Sequence, residues 1–398
     1  MKVLIVSKFL YMRGGAEVYA INLGHLLKKY GHEVQFYSMQ YPQNIAVKES
    51  HYFADEVSFF DTRLSCKLKA LLRILGDGMR ESFEKILNDF KPDIVHLNNI
   101  HSYLSPIVAR IAFEKKIPAI WTVHDYKLVC PAYSCLHNGK PCELCLKSPF
   151  YVLTKKCMKN SFLQSACAYI EALYWNKNKV QKYTNCFIAP SSFLKQMIIK
   201  GGFNESKIET ILHCIPREIS PNDALQEKSD YYCYVGRISE EKGIITLLEA
   251  AKKMPYKLIM VGDGPLRSEL SKKFNEVDNI SFVGFKQWDE LKSIIGKARF
   301  LVSPSKCYEV FGLVNVEAQA LGTPVLGANI GGIPETICLG ISGDLFEPDN
   351  IVDLQNKITQ MFQAQFDYDE ISKNARELFS MEHYYNKIMN LYNRILKL

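Results

Sequence analysis

Short apolar runs rich in β-branched residues alternate along the first half of the chain with segments whose apolar residues recur at helical spacing. Strands are predicted over residues 2–9, 33–38, 93–97, 119–123, 186–190 and 207–215, and helices over residues 18–30, 81–90 and 104–114. Continuously apolar strands that alternate with helices are typical of a parallel sheet covered on both faces. The pattern therefore predicts a doubly wound α/β domain.

The second half repeats this alternation. Strands are predicted over residues 231–235, 258–264, 280–284, 298–302 and 324–327, and helices over residues 244–252, 291–297 and 313–321. Residues 216–228 contain two prolines and several polar residues, which indicates an interdomain linker. We therefore expect a domain at 1–216 that includes a cysteine-rich loop at 130–157, a second domain at 217–380, and a C-terminal helix at 381–398.

Residues 303–317 combine a strand end, a polar loop and the start of a helix. Gly312 permits a tight turn, and Glu309 and Glu317 bracket it at a spacing of eight residues. Unpaired backbone N–H groups and the helix dipole favour a phosphate there. A carboxylate beside a phosphate is suited to accepting hydrogen bonds from neutral hydroxyls. Phosphate plus hydroxyls indicates a sugar nucleotide.

A second strand and turn supply cations. Gly236 and Arg237 follow a predicted strand, and Lys242 comes five residues after Arg237, just before a helix. Arg offers paired donors and Lys a point charge, so the two can neutralise a diphosphate without a metal ion. Surface salt bridges to Glu240 and Glu241 are the structural alternative.

The run Glu-Val-Phe-Gly-Leu-Val-Asn-Val-Glu at 309–317 resembles the Glu-x7-Glu signature of glycosyltransferase family 4, the retaining nucleotide-sugar transferases. The resemblance extends over nearly the whole chain, through the Gly-Gly loop at 14–15, Gly-Arg at 236–237 and Lys-Gly at 242–243. It implies the GT-B fold, with two Rossmann-like domains that face each other across a cleft, and a last helix that crosses back onto the first domain.

The resemblance also implies roles for individual residues. Arg237 and Lys242 would bind the donor diphosphate, Glu309 the sugar hydroxyls and Glu317 the ribose. His124, at a predicted strand end, would contact the donor sugar. The remaining binding residues expected from the family are Gly14, Gly15, Gly236, Phe311, Gly312 and Leu313.

Transfer would go from a UDP- or GDP-linked sugar to a saccharide acceptor, with no metal ion or other cofactor required. The single Asp-x-Asp, at 367–369, lies among predicted C-terminal helical residues far from these motifs.

Charge is distributed unevenly over a chain with net charge +7. Residues 1–200 carry 27 Lys and Arg against 15 Asp and Glu, whereas the rest carries 22 against 27. A basic first half favours an anionic partner, and we expect a lipid-linked saccharide of a cell-surface polysaccharide at an anionic membrane surface. Nucleic acid is disfavoured because no nucleic-acid motif is present. The apolar start is interrupted by Lys8 and no apolar run reaches membrane-spanning length, so we expect a cytoplasmic, at most peripheral, protein.

Two segments of the first half leave alternatives open. Residues 64–75 form a short basic amphipathic segment that either packs on its own domain or contacts a membrane surface. The pattern over residues 161–183 predicts one long helix with a basic, aromatic face.

Five cysteines lie within 28 residues, Cys130, Cys135, Cys142, Cys145 and Cys157, and only one C-x2-C pair is among them. They are either thiols of a loop or ligands of one structural metal or iron-sulfur cluster.

Two further functions remain compatible with these motifs. A non-hydrolysing sugar-nucleotide epimerase shares the architecture but needs acid and base residues around the sugar ring. A nucleotide-sugar-binding regulatory protein without turnover would keep the same donor residues.

Overall fold

The computed structural model describes residues 1–58, 63–224 and 226–398 of the chain, and the side chains of residues 64, 65, 67 and 224 lie outside this description. The chain divides into two compact units. The first comprises residues 1–135, 142–212 and 384–398, and the second comprises residues 136–141 and 213–383. None of the described helices is both long enough and apolar enough to cross a membrane.

In the described residues, eleven strands follow the predicted apolar runs, and the strands at 136–137, 140–141 and 343–346 were not predicted. They are β1 Lys2–Val6, β2 Glu33–Tyr37, β3 Ile94–Leu97, β4 Ala119–Thr122, β5 Leu136–His137, β6 Lys140–Pro141, β7 Cys186–Ala189, β8 Ile208–Thr210, β9 Tyr231–Val235, β10 Lys257–Val261, β11 Ile280–Gly284, β12 Leu301–Ser303, β13 Val325–Ala328 and β14 Gly343–Phe346.

The helices occupy the segments between the strands and the C-terminus. They are α1 Gly15–Lys29, α2 Leu64–Leu75, α3 Arg80–Phe90, α4 Ile107–Glu114, α5 Leu144–Lys147, α6 Tyr151–Thr154, α7 Phe162–Tyr174, α8 Lys177–Tyr183, α9 Ser192–Lys200, α10 Pro221–Ala224, α11 Ile244–Ala251, α12 Arg267–Lys273, α13 Trp288–Lys297, α14 Leu313–Ala320, α15 Ile351–Gln363, α16 Tyr368–Leu378 and α17 Met381–Leu396.

Each unit has its own six-stranded sheet, and the strands in both sheets are parallel. The first sheet has the order β2-β1-β3-β4-β7-β8. In its centre, Val3 pairs with Val34 on one side and Ile94 on the other. Residues Val3 to Val6 of β1 are fully buried, as expected of a strand covered by helices on both faces.

The second sheet has the order β11-β10-β9-β12-β13-β14. Two separate apolar clusters cover its faces: Leu247, Leu258 and Ile358 belong to one, and Ile295 and Ala318 to the other. Both sheets place the loops after their strands at the carboxyl edge, where open α/β sheets bind ligands. The predicted pair of doubly wound Rossmann-like domains is therefore confirmed.

The predicted single helix over 161–183 is wrong. The chain forms α7 and α8 instead, because the Asn176 side chain accepts hydrogen bonds from the backbone N–H groups of Asn178 and Lys179 and so begins a new helix. The Asp-x-Asp also has a local role, since the Asp367 side chain caps α16 by accepting from the Glu370 N–H group.

Helix α17 contributes to the core of the first unit through its residues from 384 onward. Tyr384, Ile388 and Tyr392 are buried there. The Tyr392 hydroxyl lies 2.5 Å from His96 Nδ1 on β3, and His96 Nε2 lies 2.7 Å from the Thr122 hydroxyl on β4. A buried polar chain thus joins the C-terminal helix to two strands of the first sheet.

Candidate active site

The start of α14 lies at the carboxyl edge of the second sheet, in the loop that follows β12. Gly312 precedes the helix with φ 104°, and Leu313 is its first residue. The N–H groups of a first helical turn lack partners within the helix, so they can bind an anion. The Phe311 side chain is buried, and its ring centre lies 5.6 Å from that of His213. Phe311 can therefore meet a ligand only through its backbone.

Lys242 and Glu309 form an ion pair in the loops at this edge. Lys242 Nζ donates to Glu309 Oε1 at 2.5 Å, and the Ser305 hydroxyl donates to the same oxygen at 2.5 Å. Burial works to raise the pKa of Glu309, but the Lys242 charge and the two hydrogen bonds outweigh it and lower that pKa. Burial works to lower the pKa of Lys242, yet the Glu309 charge raises it. Both partners are therefore held in their ionised forms.

Close backbone contacts fix the two loops that carry this pair. A Cβ on Gly243, which has φ 69°, would lie 1.8 Å from the Pro304 carbonyl oxygen, so only glycine allows this approach. The Lys306 N–H group donates to the Glu241 carbonyl at 3.1 Å. On the other side, the Gly332 N–H group donates to the Glu309 carbonyl at 2.7 Å. The positions of Lys242 and Glu309 are thus set by main-chain geometry.

Arg237 follows Gly236 in the loop after β9, at the same edge of the sheet. Its side chain is exposed, and its carbonyl accepts a hydrogen bond from the Tyr234 hydroxyl at 2.8 Å. This bond fixes the backbone of the loop while the guanidinium faces solvent. The arrangement leaves a cation available for an anionic ligand.

Glu317 lies in α14 and is buried, with 8% of its surface exposed. Arg217 Nε donates to Glu317 Oε1 at 3.1 Å, and the Arg217 guanidinium also stacks 4.4 Å from the Trp288 ring centre. Burial raises the pKa of Glu317, and the Arg217 charge opposes that rise. The Arg217 charge thus offsets part of the cost of burying the Glu317 carboxyl group, and one of the two carboxyl oxygens is hydrogen-bonded to Arg217.

Sequence reasoning missed Arg217 and Ser305. Arg217 is separated from Glu317 by 100 residues, and it lies in the segment predicted as a linker. No local pattern marks such a partner. Ser305 stands four residues before Glu309, and only its position in the loop could have suggested a contact.

The other predicted residues belong to the first unit. Gly14 and Gly15 begin α1 at the carboxyl edge of the first sheet. His124 follows β4, and its Nε2 donates to the Asn98 Oδ1 atom at 3.1 Å. The His124 ring also meets the ring of Tyr19 on α1, with the ring centres 4.8 Å apart. The glycine loop and the histidine thus lie at one edge of one sheet.

In the cysteine-rich loop, Cys130 forms hydrogen bonds with Cys135 and with Cys145. Hydrogen bonds from Cys135 and Cys145 lower the pKa of Cys130 to about 3, and the same contacts raise the pKa values of Cys135 and Cys145. Among residues 1–58, 63–224 and 226–398, no three His, Cys, Asp or Glu side chains are placed so that they could hold a metal ion. In the same residues the cysteines form no disulfide bond.

Two family profiles match consecutive parts of the chain. The profile for Glycosyltransferase Family 4 matches residues 13–218, and that for Glycosyl transferases group 1 matches residues 217–378. The first alone covers more than half of the chain.

Individual relatives agree with these profiles. An uncharacterized 41.2 kDa protein in the cps region of Klebsiella pneumoniae is 26% identical over 335 residues, which are 79% of this chain and 81% of that protein. An uncharacterized glycosyltransferase of Methanocaldococcus jannaschii is 30% identical over 213 residues. That match spans 52% of this chain and 59% of the archaeal protein.

Solved structures share the fold at low sequence identity. The lipopolysaccharide outer core galactosyltransferase WaaB superposes with a TM-score of 0.65 at 16% identity, covering 99% of this chain and all of that one. Anabaena HepE in complex with UDP superposes with a TM-score of 0.66 at 18% identity and the same coverage. With two Rossmann-like sheets, the Glu-x7-Glu loop and matching profiles over both halves, the chain belongs to glycosyltransferase family 4 and is a group 1 glycosyltransferase with the GT-B fold.

Proposed function

We propose that this glycosyltransferase moves a hexosyl-type group from a nucleoside diphosphate sugar to an acceptor hydroxyl, with retention of the anomeric configuration. The observation that carries the proposal is the Lys242–Glu309 ion pair in the loops at the carboxyl edge of the second sheet. One hydrogen bond joins a cation suited to a diphosphate and a carboxylate suited to sugar hydroxyls.

The roles of the cations follow from the charge that develops on the leaving diphosphate during the reaction. Negative charge grows on the diphosphate as the glycosidic bond breaks, so groups that stabilise it lower the barrier. We assign this role to Arg237 and Lys242, together with the backbone N–H groups at 311–313. These groups supply positive charge without a metal ion, so we propose a reaction that requires none.

The carboxylates and the first unit have binding roles in this proposal. Glu309 accepts hydrogen bonds from hydroxyls of the donor sugar, and Glu317 accepts from the ribose with its second oxygen. We assign His124 to the donor sugar, and Gly14 and Gly15 to close backbone approach to the donor. No side chain acts as a nucleophile, and the departing phosphate helps to take the acceptor proton.

The acceptor we propose is a lipid-linked saccharide in cell-surface polysaccharide synthesis at the cytoplasmic face of a membrane. Two relatives from the cps region of Klebsiella pneumoniae, 26% identical each over 335 and 356 residues, support this context. The basic first half of the chain supports an anionic acceptor.

Thermal shift with UDP-, GDP- and ADP-sugars tests the donor site. A ligand that binds only the folded state raises the melting temperature. We expect one nucleotide series to stabilise the wild type, and UDP-glucose is the first choice because HepE binds it. Arg237→Ala and Lys242→Ala should abolish the shift. Lys253→Ala, which removes an exposed lysine of the same unit, should retain it.

Product analysis separates this proposal from the two alternatives. A transferase releases free nucleoside diphosphate in an acceptor-dependent manner, an epimerase returns a changed sugar still attached to the nucleotide, and a regulatory protein leaves the donor unchanged. If no nucleotide sugar raises the melting temperature, with or without a saccharide acceptor, the proposed donor site is contradicted.

A further inference from the structure

Helix α7 in the first unit buries two polar side chains and exposes several apolar ones. Its buried residues are Ser165, Ala168 and Glu171, and the Ser165 hydroxyl accepts from the Met158 N–H group at 3.1 Å. Glu171 pairs with Lys127 at 2.9 Å. The opposite face exposes Leu163 by 75% of its surface. A helix at a water interface normally places its polar residues outward.

Apart from Gln164, the exposed residues of α7 are apolar. We call these apolar residues the α7 face, and it comprises Phe162, Leu163, Ile170, Leu173 and Tyr174, all of which are exposed. Phe150, in the segment just before α6, is also exposed and packs against Tyr169 of α7 with ring centres 5.8 Å apart. Clusters of exposed apolar side chains on one helix mark interaction surfaces rather than random surface variation.

Lysines lie at both ends of this face. Residues 144–184 contain seven lysines and one acidic residue, the buried Glu171. Four of the lysines precede α7 and three follow it: Lys147, Lys155, Lys156, Lys159, Lys177, Lys179 and Lys182. No acidic side chain of residues 144–184 therefore reaches the surface, and the exposed charges of this segment favour an anionic partner.

Helix α2, the basic amphipathic segment noted in the sequence, also exposes Leu68 and Leu72, but its described basic side chains have partners within the first unit: Lys69 lies 3.6 Å from Asp55. Arg73 is buried and donates to the backbone carbonyls of Asp55, Asp77 and Tyr103. The Arg73 side chain thus links three backbone segments of the first unit. Lys67 of the same segment lies outside the described side chains.

We propose that the α7 face docks this protein on an anionic membrane surface, with the helix axis in the plane of the lipid head groups. Apolar side chains that enter the interface between flanking lysines are the composition of an interfacial helix. Thirteen residues of helix extend about 20 Å, which is too short to cross the hydrocarbon core. A second copy of the chain fits poorly, because self-association through this face would bring lysines against lysines.

This inference deepens the proposed function, since a lipid-linked acceptor resides at such a surface. Membrane docking does not involve the donor, however, so its test is independent of sugar transfer. Failure of vesicle binding would leave the donor shift untouched, and failure of the donor shift would leave vesicle binding untouched.

The test is flotation of the full chain with vesicles of phosphatidylglycerol and phosphatidylcholine, compared with vesicles of phosphatidylcholine alone. We expect binding to the anionic vesicles that weakens with added salt. The double variant Leu163→Glu, Ile170→Glu should bind at least tenfold more weakly. Val352→Glu, which changes an apolar residue of α15 that is 66% exposed, is the matched control and should bind like the wild type.

Three results would overturn the proposal. The first is a wild type that fails to bind anionic vesicles at low salt or binds neutral vesicles equally well. The second is a double variant that binds as tightly as the wild type while its melting temperature is unchanged. The third is a lipid-free dimer that the Leu163→Glu, Ile170→Glu variant dissociates, because the α7 face would then serve a second copy of the chain.

Discussion

Lys242 Nζ and Glu309 Oε1 lie 2.5 Å apart, so the cation expected to bind the diphosphate is neutralised by the carboxylate expected to bind the sugar. A donor that occupies this site must therefore replace an existing ion pair with contacts of its own. The phosphate would attract Lys242, and the sugar hydroxyls would satisfy Glu309. The ion pair thus holds both side chains in place before the donor arrives.

Glu309→Gln should separate binding of the nucleotide from transfer of the sugar. The amide keeps the shape of the side chain but removes the charge that competes with phosphate for Lys242. We expect UDP affinity to be retained or increased. Transfer should fall about 10- to 100-fold, since hydrogen bonds to charged groups contribute about 1.5–3 kcal/mol. The measurements are UDP titration calorimetry and kcat/KM, with the exposed Glu276→Gln as control. Equal losses of UDP affinity and transfer would contradict the assignment.

Gly243→Ala should disrupt the loop that carries Lys242. The substitution combines a left-handed backbone, which costs a non-glycine residue about 1–2 kcal/mol, with a clash against the Pro304 carbonyl. Gly340→Ala is a matched control because Gly340 has φ 77° with no atom within 4 Å of a Cβ. We expect Gly340→Ala to lower the free energy of unfolding by the backbone cost alone. Gly243→Ala should lower it further and also weaken UDP binding, as urea denaturation and calorimetry would show.

Similar losses of stability and unchanged UDP binding in the two glycine variants would show that the Pro304 contact does not position Lys242.

The sequence predicted the sheets well because a strand buried on both faces is continuously apolar. The runs at residues 2–9 and 231–235 became β1 and β9 by this signal. The Glu-x7-Glu spacing likewise placed Glu309 in the loop and Glu317 in the helix.

Contacts between residues that are far apart in the sequence could not be predicted from local sequence patterns. Arg217 reaches Glu317 across 100 residues, and nothing near either residue indicates the pair. The orientation of α7 was equally hidden, because helical spacing reveals stripes but does not show which stripe packs inward. Only the burial of Ser165 and Glu171 revealed that the apolar stripe faces outward.

Glu317→Gln should change how stability depends on pH. Burial raises the pKa of Glu317 above its unfolded value of about 4.3, so the folded state prefers the protonated carboxyl group. The stability contributed by this preference is complete below the unfolded pKa and is lost as pH rises through the folded pKa. Glutamine does not titrate. Relative to wild type, the variant should therefore gain stability between pH 4 and pH 7.5, while its UDP affinity falls about tenfold through the lost charged hydrogen bond.

Urea denaturation at the two pH values checks this expectation. Glu377→Gln, at an exposed carboxylate of the same unit, should not show the gain. A Glu317→Gln variant that loses equal stability at both pH values would show that the Arg217 pair outweighs the cost of burial.

Tyr392→Phe should weaken the attachment of α17 to the first sheet. The hydroxyl lies 2.5 Å from His96 Nδ1 in a fully buried position, so its removal leaves that nitrogen without its partner. Loss of one partner of a buried hydrogen bond costs about 1–3 kcal/mol. Lys387→Ala, at an exposed position of the same helix, should leave the free energy of unfolding nearly unchanged. Urea denaturation of the two variants measures the difference.

Burial of His96 should also make the folded state less stable at acidic pH. Burial lowers the pKa of His96 to about 3, whereas an unfolded histidine has a pKa of about 6.5. The stability this provides is complete above the unfolded pKa and is lost as pH falls toward the folded pKa, by up to about 1.4 kcal/mol per pH unit. We therefore expect the wild type to lose stability from pH 6.5 to pH 4. His96→Gln should be less stable at neutral pH but should lose less on acidification, and parallel pH profiles for the two proteins would contradict this role of His96.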